Sequence, residues 1–185
     1  MKINLYAFRA IYLHEMDRFR RTLTQSVLSP VLTTSLYFIV FGSVIGGYVE
    51  KIDGISYGSY IVPGLLMLTL LTQSISNTSF GIFFPKFNGT IYEILAAPIS
   101  TLEVVLAFVG AGATKTLIVS IIIFITSLFF VDVQVKYPLL MIFLLILVAF
   151  TFALFGFLIG LISSDFEQMS IIPVSYTHLT LPTRS

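Results

Sequence analysis

Four stretches of this chain carry almost no charge, and each is long enough to cross a bilayer as a helix. Thr22 to Val49 is uncharged for 28 residues, Gly54 to Pro85 for 32, and Tyr137 to Ser164 for 28. Val104 to Val131 is interrupted only by Lys115. A hydrocarbon core about 30 Å thick needs roughly 20 apolar helical residues. Inside it the backbone N–H and C=O groups find no water, so a crossing segment must be a helix or part of a closed barrel. These runs are too long for barrel strands and do not alternate. The sequence predicts an all-α, polytopic helical membrane protein.

Composition narrows the function. Charged residues make up 10% of the chain and hydrophobic residues 57%, whereas a soluble domain carries about a quarter charged residues. An ordinary soluble enzyme is excluded, and a net charge of +1 gives no pull toward nucleic acid. There is no cysteine, and His14 and His178 lie in unrelated segments without metal-ligand spacing. No metal site and no catalytic residue is therefore expected. The first apolar run begins too late and runs too long for a signal peptide.

Lys and Arg are retained on the cytoplasmic side during insertion. Lys2, Arg9, Arg18, Arg20 and Arg21 precede the first run, so the N-terminus is expected inside. Alternation then gives helix one outward (Val27 to Tyr48) and helix two inward (Tyr60 to Phe83). The segment Lys86 to Glu103 is cytoplasmic. Helix three ends near Val131, and helix four returns from Pro138 to Ser163. Before helix one, Leu5, Phe8, Tyr12, Met16, Phe19 and Leu23 recur at steps of three and four. That periodicity gives an amphipathic helix with an apolar stripe, and Arg18 and Arg21 fall largely elsewhere. It either lies at the membrane interface or packs on the rest of the protein.

Several residues inside the runs carry candidate roles. Gly42 and Gly46 form one GxxxG and Gly156 and Gly160 another, a spacing that lets helix backbones approach closely. Pro63 and Gly64 suggest a kinked or unwound start to helix two. Gln73 and Asn77 are four apart and share a face. Together with Lys115 they are the candidate translocation path, or they bond a neighbouring helix. A lone cation in an apolar span is a functional candidate. The alternative is that Lys115 snorkels back to the cytoplasmic headgroups, and the cost of about 3 kcal/mol for lysine at a helix centre favours this. Gly110 to Thr116 lacks the glycines of a phosphate-cradling loop, because Thr114 and Val109 stand in their places.

The segment Phe84 to Ser100, FPKFNGTIYEILAAPIS, is the most informative. Pro85 is expected to close helix two. Asn88 and Gly89 supply a turn, and Thr90 with Glu93 three residues later matches a capping box. Ile91, Ile94 and Leu95 give a short apolar face before Pro98 stops the helix. A short exposed helix between two spans is a docking surface or an ordinary interfacial turn.

With these motifs the chain resembles the membrane subunit of ABC-2 type exporters, nearest to bacterial drug, polysaccharide or nodulation-factor permeases. The resemblance rests on Phe41-Gly42, YIVPGLLM at Tyr60 to Met67, NGTIYEILAAPIS at Asn88 to Ser100 and SLFFVDVQV at Ser127 to Val135. It implies a transport subunit in the bacterial cytoplasmic membrane, without an ATPase site of its own. A cytoplasmic ABC ATPase subunit would bind the ATP and Mg, and a second permease copy would complete the pore. It also implies that the element around Asn88, Gly89, Thr90, Glu93, Leu95 and Pro98 is a coupling helix docking on the ATPase, with Glu93 its acidic contact. The helix carrying Phe8, Tyr12, Arg18, Phe19 and Arg21 would be the interface helix. An ion-coupled secondary carrier or channel, or a membrane assembly factor, are the rival readings. The near absence of carboxylates in the spans weighs against ion coupling.

The family carries six membrane helices. Asp165 to Pro173 reads as the start of a fifth, so residues 1–173 are expected to form an incomplete ABC-2 transmembrane domain. Residues 174–185 are expected to be a non-native tail, because Val174 to Thr183 resembles the in-frame translation of a transposon-end sequencing adapter.

Overall fold

A computed structural model of the protein describes residues 4–45, 57–131 and 135–169, with the backbone alone at 42–45. The tail expected to be non-native lies outside these residues, as does Gly46. The chain forms α1 (Leu5–Arg21), α2 (Leu23–Tyr37), a π-helical continuation (Phe38–Ile45), α3 (Tyr57–Phe87), α4 (Ile91–Ala96), α5 (Thr101–Leu128) and α6 (Pro138–Ile162). No strand occurs among the described residues. Leu23–Phe41, Tyr57–Phe87, Thr101–Leu128 and Pro138–Ile162 are long and apolar enough to cross a membrane. A further helical turn begins at Phe166 and continues to Met169.

The expected boundaries shift where local chemistry overrides composition. The first crossing starts at Leu23 rather than Val27, directly after Thr22, whose N–H bonds back to Arg18 and Phe19 carbonyls. The second crossing is longer than expected at both ends. It runs through Pro63 and Gly64 without unwinding, and Pro85 sits inside its last turn instead of closing it. Proline lacks the N–H that the helix needs, and side chains brace this end from outside. Phe166 packs edge-on against Phe83 at 4.8 Å and Phe87 at 5.0 Å between ring centroids. The Lys86 ammonium donates to the Leu161 and Ser163 carbonyls at 2.6 and 2.9 Å, occupying acceptors left open at the end of α6. At 1.5 Å per residue, the 31 residues of α3 extend about 46 Å, well beyond the hydrocarbon. The helix must tilt or project, and its C-terminal end leads into α4.

Helix packing is built on small residues. Lipid offers no hydrophobic drive for helix association, so van der Waals contact between close backbones has to supply it. On α6 the residues Ala149, Ala153, Gly156 and Gly160 form one buried seam at steps of four, three and four. That seam meets α3, its most extensive neighbour. A Cβ on Gly156 would lie 2.4 Å from the Ile75 carbonyl oxygen, and one on Gly160 2.5 Å from that of Ser79. Ser74 Oγ donates to the Ala149 carbonyl at 2.6 Å. These contacts ascend both helices together, so α3 and α6 run in the same direction, as a second and a fourth crossing must. On the other side of α3, a Cβ on Gly112 of α5 would fall within 1.9 Å of Thr78 Oγ1.

Two apolar clusters fill the interior. Leu70, Ile82, Phe108, Val109, Ala113, Ala149, Ala153 and Phe157 join α3, α5 and α6. Phe19, Phe38, Val62, Leu66, Val119 and Ile123 join α1, the π-helical segment, α3 and α5. The outward faces are apolar too: Leu139, Phe143, Leu147, Phe155 and Leu158 of α6 are all exposed. A helix that is hydrophobic all round suits a lipid-facing position.

Replacing Gly156 by Ala should force α3 and α6 apart and lower stability by about 1–3 kcal/mol. Gly64, which has open space around it, should accept Ala with no loss and a gain of up to about 1 kcal/mol. Detergent-titrated unfolding of the two variants checks the contrast.

Candidate functional site

The connection between α3 and α5 is a tight, externally presented helical turn. The Asn88 and Gly89 N–H groups bond the Phe84 and Lys86 carbonyls at 3.0 and 3.4 Å, unwinding α3. Gly89 then adopts φ +80°, a left-handed value that costs a residue without Cβ little. This reverses the chain into α4. The half-buried Ile91 and Ile94 pack against the α3–α5–α6 cluster. Glu93 is exposed, as are Tyr92 and Leu95 at 72% and 67%. Ala97 is extended (ψ 149°), as a residue before proline prefers, so Pro98 ends the helix.

The capping box falls elsewhere than expected. Thr90 has helical backbone angles and makes no side-chain cap bond. Its hydroxyl donates to the Pro85 carbonyl at 3.4 Å. The reciprocal pair forms one element later, between Ser100 and Glu103 at the start of α5. An N-cap needs extended backbone, which Ser100 has (ψ 144°) and Thr90 (ψ −14°) lacks. Glu93 is thereby left free of the capping duty and faces outward. Buried Glu103 has a second task. One of its oxygens accepts from the Ser100 N–H at 3.0 Å, and the other accepts from the Asn4 N–H at 2.5 Å.

That bond is the lowest of three that fasten α1 to α5. Tyr12 OH donates to Thr114 Oγ1 at 3.1 Å. Lys115 Nζ donates to Glu15 Oε2 at 2.7 Å, with both side chains 3% exposed. Arg18 reaches the same oxygen at 2.8 Å. The three contacts climb both helices in the same order, so α1 runs alongside α5 in the same direction. Phe19 continues the line into the second apolar cluster. The middle of the α1 stripe, Phe8 to Phe19, therefore faces protein, with Phe8 stacked on Tyr12 at 6.1 Å, while Leu5 and Leu23 at its ends and Arg21 are exposed.

Lys115 is buried within the bundle rather than extended to the protein surface. It lies midway along α5, and α1 brings it a carboxylate. The sequence reading missed Glu15, although the signal was present. Phe8, Tyr12, Glu15 and Phe19 are spaced four, three and four apart, which puts a carboxylate within the apolar stripe. The magnitudes separate this pair from the surface one. Arg20 and Asp17, 3.8 Å apart and mostly exposed, contribute under about 1 kcal/mol. Removing one partner of a buried pair costs about 3–5 kcal/mol, because it strands a charge.

Other residues singled out from the sequence lie apart from this cluster. Asn77 Nδ2 donates to Gln73 Oε1 at 3.4 Å along α3. No hydrogen bond joins either residue to Lys115 among the described residues, so the three do not form one polar group. Gly156 and Gly160 sit in the α3–α6 seam, and the Gly42 backbone lies in the π-helical segment.

Comparison with known proteins bears on this arrangement. The sequence pattern of the ABC-2 type transporter family matches residues 6–181. The inner membrane transport permease YadH of Escherichia coli strain K12 is 36% identical over 173 residues, which cover 94% of this chain and 68% of that protein. The YadH proteins of Escherichia coli O157:H7 and of Shigella flexneri give the same figures. No solved structure matches.

Lys115→Met alone should lower unfolding stability by about 3–5 kcal/mol. Combining it with Glu15→Leu should recover most of that loss, because the apolar pair strands no charge. Detergent unfolding of the single and double variants measures both.

Proposed function

Since this chain belongs to the ABC-2 type transporter family, it is a membrane permease of an ABC transporter, and we propose that it serves as the membrane half of an ATP-driven exporter. In this reading a separate cytoplasmic ATPase binds ATP and Mg and supplies the phosphate chemistry. ATP-driven closure of two ATPase copies displaces α4, and the spans rearrange around an interface with a second copy of the permease. The bacterial cytoplasmic membrane is the setting, with the N-terminus and α4 inside. The basic cluster Lys2, Arg9, Arg18, Arg20 and Arg21 supports that orientation.

The observation that carries the reading is the construction of α4. Two isoleucines anchor it to the bundle, while its Tyr92, Glu93 and Leu95 are exposed just beyond the end of α3. An aromatic, an aliphatic and a carboxylate on one short rigid turn provide apolar contact and a charge for a cationic groove. The shortness of α4 and the four residues that alone separate it from capped α5 suit it to transmit displacement rather than absorb it.

Glu93→Arg should weaken co-purification with a co-expressed ABC ATPase subunit that binds the native permease by about tenfold or more, since it sets a like charge against the groove. Unchanged complex formation and unchanged MgATP hydrolysis in the reconstituted complex would remove the assigned role. The chain has no cysteine, so Asn88→Cys offers a single thiol. A membrane-impermeant maleimide should label it only after the cytoplasmic face is opened, and labelling of intact spheroplasts would reverse the orientation.

A further inference from the structure

α4 leads directly into a joint shared by two helices. Ser100 and Glu103 cap α5, and Glu103 also holds the Asn4 N–H of α1. A displacement arriving at Ser100 therefore acts on the starts of α1 and α5 together. Whether it stays common to both depends on what prevents α1 from sliding or rolling on α5. Most of their contact is unsuited to that task. Phe8, Ile11, Tyr12 and Phe19 present smooth apolar surface, and the Tyr12–Thr114 bond joins two neutral hydroxyls. Dispersion contacts between apolar surfaces are non-directional and barely distinguish one helical register from the next.

Glu15 with Lys115 does distinguish them. The pair is buried and short, and it lies deeper in the bundle than the Glu103 clasp, so the two fix α1 at two levels. Sliding α1 by one residue, or rolling it by one position, would leave the Lys115 ammonium buried without its carboxylate, while Arg18, on α1 itself, would travel with Glu15. Apart from Arg18 on its own helix, the surroundings offer Glu15 little substitute. Gly81 of α3 lies beside it and has no side chain to donate; a Cβ there would lie 3.4 Å from Glu15 Oε2. Glu15 Oε1 is already buried with no hydrogen-bond partner among the described residues. An apolar pair of similar volume would hold the helices together as well or better, and the best-attested use of a buried ion pair is to fix register.

We propose that Glu15 and Lys115 are positioning residues that lock the register of α1 on α5, so that displacement of α4 is delivered to both helices as one body. The functional half of this inference rests on the coupling role given to α4 above; the register lock itself does not.

The test uses the full chain in proteoliposomes and the absence of native cysteine. Spin labels are placed at the exposed positions Arg9 (Arg9→Cys) on α1 and Leu106 (Leu106→Cys) on α5. The native pair should give one narrow distance. Glu15→Leu/Lys115→Met should remain folded yet broaden that distance, and permease-stimulated MgATP hydrolysis by the reconstituted complex should fall by about tenfold. Glu15→Lys/Lys115→Glu should restore both, since a carboxylate on α5 can accept from the exchanged ammonium and from Arg18. A single narrow distance with native hydrolysis in the apolar pair would overturn the proposal. So would a folded charge-exchanged variant with a broad distance, which keeps the test decisive if the apolar pair accumulates poorly. The distance measurement needs no ATPase. If the native permease assembles with none, the exporter reading fails while the register lock is still judged.

Discussion

A polar atom inside hydrocarbon has no solvent to fall back on, so each must find its partner within the protein. That constraint organises this structure from backbone to side chains. It makes every crossing helical. It directs Thr34, Thr69, Thr116, Thr126 and Thr151 to bond the carbonyl four residues back on their own helix. It turns Ser74 toward the Ala149 carbonyl of a neighbouring helix and Lys86 toward the open carbonyls at the end of α6. Its most demanding case is Lys115, a full charge midway along a crossing helix, which is accommodated because α1 brings Glu15 to it.

The same constraint divides the bundle into two kinds of contact. Between α3 and α6 cohesion comes from proximity, with alanine and glycine letting the backbones meet and one serine bond beside them. Such a seam gains from dispersion and has no charge to strand. Between α1 and α5 the contact is polar at three levels and ionic at one. The ionic level adds little cohesion beyond what an apolar pair would give, yet it opposes every shifted register. The first kind of contact suits a pair of helices that must stay close. The second suits a pair that must stay aligned.

Much of this was legible in the sequence, and the failures have physical reasons. Uninterrupted apolar length located all four crossings, because spanning lipid is a requirement on composition alone. The end of the fourth was read within one residue, since Pro138 and the polar Ser163 bound it. The ends of α3 were misplaced because Pro85 was read by its local preference, while the bracing by Lys86 and Phe166 is tertiary. The capping box was assigned to Thr90 and Glu93 on spacing, which Ser100 and Glu103 satisfy equally. Only backbone angles separate the two. Glu15 was missed for a different reason. A carboxylate in a basic, amphipathic segment reads as solvated even where, as with Glu15, its spacing puts it within the apolar stripe, and its partner emerges only once α1 is known to lie along α5 beside a cation.

The candidate site gains its meaning from this geometry rather than from α4 alone. A short exposed helix between two crossings could be a passive turn, and its residues do not exclude that. What distinguishes it is what stands behind it. Ile91 and Ile94 seat it on the cluster shared by α3, α5 and α6, and Pro98 separates it by a few residues from the Ser100 cap. Glu103 within that cap also holds the start of α1. A force applied at Tyr92, Glu93 or Leu95 therefore meets no slack segment before it reaches helices that cross the membrane. Glu93, unneeded for capping, is the one charge in this element, and it is exposed.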